Sequence, residues 1–126
     1  IGVEPPNKTK YKLGNAVMGA CPRHPFVQLL IDSLPANYQK YQDNHIQDTV
    51  GKTGPGFITN TFKKYNASHA GKTNTISIFP PSFFYPLSAS ELIRYKKKGT
   101  TVFTTEQLCP ETCGIHYWDG SWCKIP

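Results

Sequence analysis

The stretch TGPGFITNTFKKYN, residues 53–66, runs from a tight turn straight into a helix. Pro55 presets the backbone angle of a first helical position, where its missing N–H costs nothing. Beyond it Phe57, Ile58, Thr61, Phe62 and Tyr65 recur with the helical period and share one face. A turn that opens directly into a helix also leaves backbone N–H groups uncommitted at the helix start. Such a start can hold a phosphate or sugar oxygen, although most hold nothing.

Working upstream, RHPFVQLLIDSL (23–34) carries a second amphipathic pattern. Phe26 and Leu30 stand four apart, and Val27, Ile31 and Leu34 repeat the period. Pro25 suits the first turn, and Pro35 is expected to stop the helix. The polar, aromatic segment 36–48 reads either as an extension of that helix or as an exposed connection. Residues 1–12 read as a loop. LGNAVMGAC (13–21) reads as a buried strand whose glycines let another group approach the backbone.

Downstream, NTISIF (74–79) alternates as a strand does. PPSFFYP (80–86) cannot pair regularly, since proline lacks the donor, and reads as an aromatic loop packed on something. ASELIRYKKKG (89–99) reads as a short helix stopped by Gly99. TTVFTT (100–105) and CGIHYW (113–118) are strand candidates. Helices and strands alternate without a domain boundary, which predicts one mixed α/β unit over residues 1–126.

The chain has 126 residues, 13% aromatic and 17% charged, with eleven prolines. This composition fits a folded domain with many fixed loops and excludes a disordered chain. A net charge of +6 favours anionic ligands, but the basic residues are scattered and their one run is Lys96-Lys97-Lys98. Lys and Arg are not clustered among aromatics, which argues against a nucleic-acid binder. No Gly-rich phosphate loop, nucleophile elbow or recognisable pair of acids occurs.

Cys109, Cys113, His116 and Cys123 are spaced Cys-x3-Cys-x2-His-x6-Cys, a donor set zinc accepts. The spacing is not that of a familiar finger. Two glycosylation acceptors, Asn7-Lys8-Thr9 and Asn66-Ala67-Ser68, together with the even cysteine count favour a secretory setting and disulfides. Connectivity stays open, because four cysteines allow three pairings. Of the four histidines, His24 reads as a cap, and His45 and His69 lie in polar stretches. His116 differs. It sits among aromatics in GIHYWDGSW (114–122), either as a packed core residue or as a ligand.

Four stretches in order carry a resemblance: GNAVMGACPRHPF (14–26), KTGPGFITNTFKKY (52–65), FPPSFFYP (79–86) and GIHYWDGSW (114–122). Together they resemble the C-terminal half of the DXD-motif sugar transferases of glycosyltransferase family 32. The resemblance implies a GT-A fold, Rossmann-like with a mixed sheet. It implies retaining transfer from a nucleotide-sugar donor to a glycan or lipid acceptor, with Mn²⁺ or another divalent cation. It further implies a setting in the secretory pathway, in the Golgi lumen.

By the same resemblance His116 is a metal or diphosphate contact, and Ser121 and Trp122 lie beside the diphosphate. Asn15 faces donor or acceptor, and Thr53, Gly54 and Pro55 form a turn near the transferred sugar. Trp118 is expected in the core. The chain has no D-x-D. The expectation is therefore a partial catalytic domain that partners a missing N-terminal half and is inactive alone, or a short homologue without catalysis. The competing reading is a non-catalytic secreted carbohydrate-binding module that stacks sugars on its aromatic loops.

Overall fold

The computed structural model describes residues 1–5, 12–44, 48–69, 76–97, 99 and 108–118. Among these lie five helices: α1 (Pro25–Asp43), α2 (Thr49–Lys52), α3 (Pro55–Ser68), α4 (Pro81–Phe84) and α5 (Ala89–Lys97). The helix α1 starts where expected. His24 caps it through Nδ1, which accepts from the Phe26 amide at 3.2 Å, and Pro25 fills the first position.

Pro35 does not end α1, which runs on to Asp43. The ring removes the N–H that Ile31 would have bonded, yet Ile31 and Pro35 are both exposed, so water can satisfy the freed carbonyl. The far half of α1 is also anchored. The Asn37 side-chain amide donates to the carbonyls of Gly51 at 3.1 Å and Lys52 at 2.7 Å. These bonds tie α1 to α2 and offset the proline.

The helix α3 packs against both α1 and α2. Phe57, Ile58, Thr61 and Tyr65 are buried and Phe62 is half-buried, as its period requires. Phe26 of α1 is the hub. Its ring meets Phe62 edge-on at 6.1 Å and Tyr65 at 5.3 Å. Leu13, Phe26, Phe57, Ile58 and Tyr65 form the main core, with Ile1, Val3 and Ile76 packed on it. Burial of a side chain such as Phe26 stabilises the fold by about 1.5–3 kcal/mol.

Three short extended segments lie against this core. Residues 1–4 are central, pairing in parallel with residues 77–79 through Gly2 and Phe79. They pair antiparallel with residues 12–14 through Val3 and Leu13. Val3 donates to the Phe79 carbonyl, Phe79 to Ile1 and Gly14 to Gly2, each at 2.9 Å. The start of the chain is thus the middle of a small sheet-like layer, not the loop its polar composition suggests.

Residues 13–21 are not a buried strand. Leu13 pairs, a bend follows at 15–17, and residues 15–20 are exposed. Pairing likewise reaches only Phe79 in the 76–79 part of the next expected strand, and residues 113–118 form no strand. The candidate at 100–105 lies outside the described residues.

Beyond this layer the aromatic loop coils into α4, and α5 follows. A reciprocal cap starts α5. The Ser88 amide donates to a Glu91 carboxylate oxygen at 2.8 Å, and the Glu91 amide donates to the Ser88 hydroxyl at 3.3 Å. The Ser88 hydroxyl, donating to the same carboxylate oxygen at 2.6 Å, and the Ser88 amide hold the Glu91 carboxyl below its usual range. Gly99, at φ 75°, closes the helix as expected, its amide donating to Lys96. No helix among the described residues is long and apolar enough to cross a membrane.

Candidate functional site

His116 lies on a strap, residues 112–118, clamped to the α4 region at both ends. The Thr112 hydroxyl donates to the Ser82 carbonyl at 2.8 Å. The amides of Cys113 and Gly114 donate to the Phe83 carbonyl at 2.8 and 3.1 Å. At the other end the Trp118 indole N–H donates to the Leu87 carbonyl at 2.9 Å. Trp118 holds a φ of 46°, a left-handed value that bulky side chains rarely adopt and that stores local strain.

Between the clamps the His116 ring faces Tyr85, centroid to centroid 5.6 Å, and meets Trp118 edge-on at 4.5 Å. Its Nδ1 is buried, with no hydrogen-bond partner among the described residues. Burial lowers its pKa below the ordinary histidine value, so the neutral imidazole, the form that binds metals, is favoured. Trp118 is half-buried in this aromatic group, with Tyr85 at 5.8 Å.

Tyr85 joins the strap to the small sheet. It is fully buried, with no exposed surface. Its ring lies on Gly2 and Gly14, which pair side by side. A Cβ on Gly2 would come within 2.7 Å of the Tyr85 ring, and one on Gly14 would overlap the Tyr85 hydroxyl. The expected close approach to a glycine is therefore found at Gly14; Gly19 has open space beside it. Asn15 follows Gly14 and is exposed at the bend.

The T-G-P turn is built from three sides. Thr53 ends α2 and is exposed, Gly54 is buried as the cap of α3, and Pro55 takes the first helical position. A Cβ on Gly54 would sit 3.0 Å from the Val50 Cα, which explains a glycine there. Thr59, one turn on, donates to the Pro55 carbonyl at 2.7 Å and accepts from the Leu13 amide at 2.9 Å.

The expected residues are therefore linked in relay. Pro55 reaches Leu13 through Thr59. The next residue, Gly14, reaches His116 through Tyr85. No direct contact joins Thr53, Asn15 and His116 among the described residues. Ser121 and Trp122 lie outside those residues, as does Cys123.

Sequence reasoning assigned Tyr85 only to an aromatic loop and gave Thr59 and Glu4 no role. Gly2 and Gly14 are the sequence signal for Tyr85, but nothing local says which ring they admit. Glu4 is half-buried, and burial raises its carboxyl above the ordinary range, partly countered by Lys12.

Among the described residues, Cys21, Cys109 and Cys113 are exposed and form no disulfide with one another. No group of three or more His, Cys, Asp or Glu that could hold a metal occurs among the described residues. A cation at His116 would therefore find a single ligand among the described residues and would need its remaining donors from elsewhere. An apolar cleft of about 710 Å³ opens between residues 17–21, the start of α1 and residues 76–79, lined by Val17, Met18, Phe26, Ile76 and Phe84 among others. Among the described residues, none of Asn15, Thr53, Gly54, Pro55 and His116 lines it.

Comparison with known proteins bears directly on this arrangement. The model of the alpha 1,4-glycosyltransferase conserved region matches residues 20–125. A mannosyl phosphorylinositol ceramide synthase of Saccharomyces cerevisiae is 35% identical over 72 residues, covering 57% of this chain and 19% of that protein. A lactosylceramide 4-alpha-galactosyltransferase of Rattus norvegicus is 27% identical over 118 residues, covering 89% of this chain and 30% of that protein. The chain thus spans under a third of the length of these curated relatives. No solved structure matches it. The family match takes in α1 to α5 and the His116 strap, and the chain belongs to the alpha 1,4-glycosyltransferase family.

Proposed function

We propose that this chain forms the diphosphate-facing part of a retaining sugar transferase of the GT-A type. It acts with the carboxylate-bearing part of the catalytic domain and takes a nucleotide sugar as donor. The observation that carries this reading is the strap over Tyr85, with its buried, unpartnered His116 Nδ1, inside the family-matched region. The two relatives named above are both named for ceramide lipids, which supports a glycolipid acceptor.

The roles follow from chemistry. Sugar transfer releases a nucleoside diphosphate and builds negative charge on it. A divalent cation, Mn²⁺ in this proposal, neutralises that charge when bound. His116, kept neutral by burial, offers an imidazole nitrogen to the cation or the diphosphate. Ser121 and Trp122 donate hydrogen bonds beside the diphosphate. Asn15 orients the sugar, and Thr53, Gly54 and Pro55 shape the turn that faces it. The setting in this proposal is the secretory pathway, in the Golgi lumen.

The test is transfer of labelled sugar by the full-length protein to a ceramide glycolipid, with and without a chelator. Cation-dependent product that retains the donor's anomeric configuration is expected. Sugar binding without turnover, unaffected by the chelator, would instead identify a carbohydrate-binding module.

A further inference from the structure

Tyr85 carries a hydroxyl that the described fold does not use. The side chain is fully buried, yet its oxygen has no hydrogen-bond partner among the described residues. A buried, unsatisfied hydroxyl destabilises a fold, and phenylalanine would fill the same ring site without that penalty. Gly14 concedes further. It lacks a side chain at the point where a Cβ would overlap this hydroxyl. Two positions are thus shaped around one oxygen with no partner.

The surroundings say what the oxygen is for. The backbone amides of Val17 and Ala16 lie close enough to ease the effect of burial on the phenol, although neither completes a bond. Those amides belong to the bend that carries Asn15, which is exposed and unpaired with any neighbouring segment in the described structure. The same ring also packs against His116 and Trp118, with centroids 5.6 and 5.8 Å away. Tyr85 therefore stands between the two halves of the candidate site.

We propose that Tyr85 is a positioning residue, whose hydroxyl accepts from the Ala16 or Val17 amide when substrate draws the bend inward and so latches Asn15 at a fixed distance from His116. The latch rests on the proposed transferase reading. It orders the bend when substrate is in place. Tyr85 touches no reacting atom and acts through Asn15.

The experiment compares Tyr85→Phe, Asn15→Ala, the double variant and His116→Ala in the full-length protein. Kinetics, melting temperature and amide exchange at Val17 are measured, the last with and without a nucleoside diphosphate. Tyr85→Phe should melt at or above the wild-type temperature and lose about tenfold in kcat/KM, the size of one hydrogen bond, mostly through KM. The double variant should be no worse than Asn15→Ala alone, since the two act in series. The diphosphate should slow Val17 exchange in the wild type and not in Tyr85→Phe.

Wild-type kinetics in Tyr85→Phe, or losses that add in the double variant, overturn the latch. If His116→Ala and Asn15→Ala lose activity while Tyr85→Phe does not, the latch fails and the transferase reading stands. If neither His116→Ala nor Asn15→Ala changes turnover, the site reading fails, and the latch fails with it.

Discussion

Glu4 shows how a single side chain in this fold carries a cost that pH can expose. Burial raises its carboxyl above the usual value, so the folded state binds a proton more readily than the unfolded chain does. As pH rises through the interval from about 4.5 to the folded-state value, the native state must give up that proton and stability falls. Glu4→Gln should therefore raise the melting temperature at pH 7 and leave it nearly unchanged below pH 4, read by calorimetry across that range. An equal effect at both pH values would locate the cost elsewhere. At the same scale, Gly14→Ala should destabilise the protein by about 1–3 kcal/mol in urea unfolding, because the new methyl drives Tyr85 from its seat.

Among the elements, α5 depends on its cap. Ser88→Ala removes the hydroxyl that receives the Glu91 amide and should cost about 1 kcal/mol, measured by chemical denaturation. Elements with one buried face and a proline or glycine start were legible in the sequence. The helix α3 is one, because Phe57, Ile58, Thr61 and Tyr65 all meet the same partner side. The length of α1 was not legible. Pro35 reads locally as a stop, and the Asn37 bonds that override it come from residues 51 and 52. Residues 13–21 misled for the converse reason. A short apolar run makes a buried strand only with a partner strand, and the described pairing ends at Leu13 and Gly14. The relay through Tyr85 joins residues 2, 14, 85 and 116. The sequence shows its glycines and its histidine but not the contact.

In the molecule as a whole, the main core and the candidate site have separate centres. Phe26, wedged between α1 and α3, holds the main core, and Phe26→Ala should cost about 3–5 kcal/mol of unfolding free energy. The Tyr85–His116–Trp118 group lies outside that core cluster, against the small sheet and under the strap. In the proposed reading, a change there removes function without unfolding the chain. The contrast is tested most directly by His116→Ala in the full-length protein, with kcat/KM for sugar transfer and melting temperature measured on one preparation. The account predicts a loss of a hundredfold or more in kcat/KM, about 2.7 kcal/mol or more of transition-state stabilisation, with a nearly unchanged melting temperature. Unchanged turnover, or a loss that only tracks a collapse in melting temperature, would contradict it.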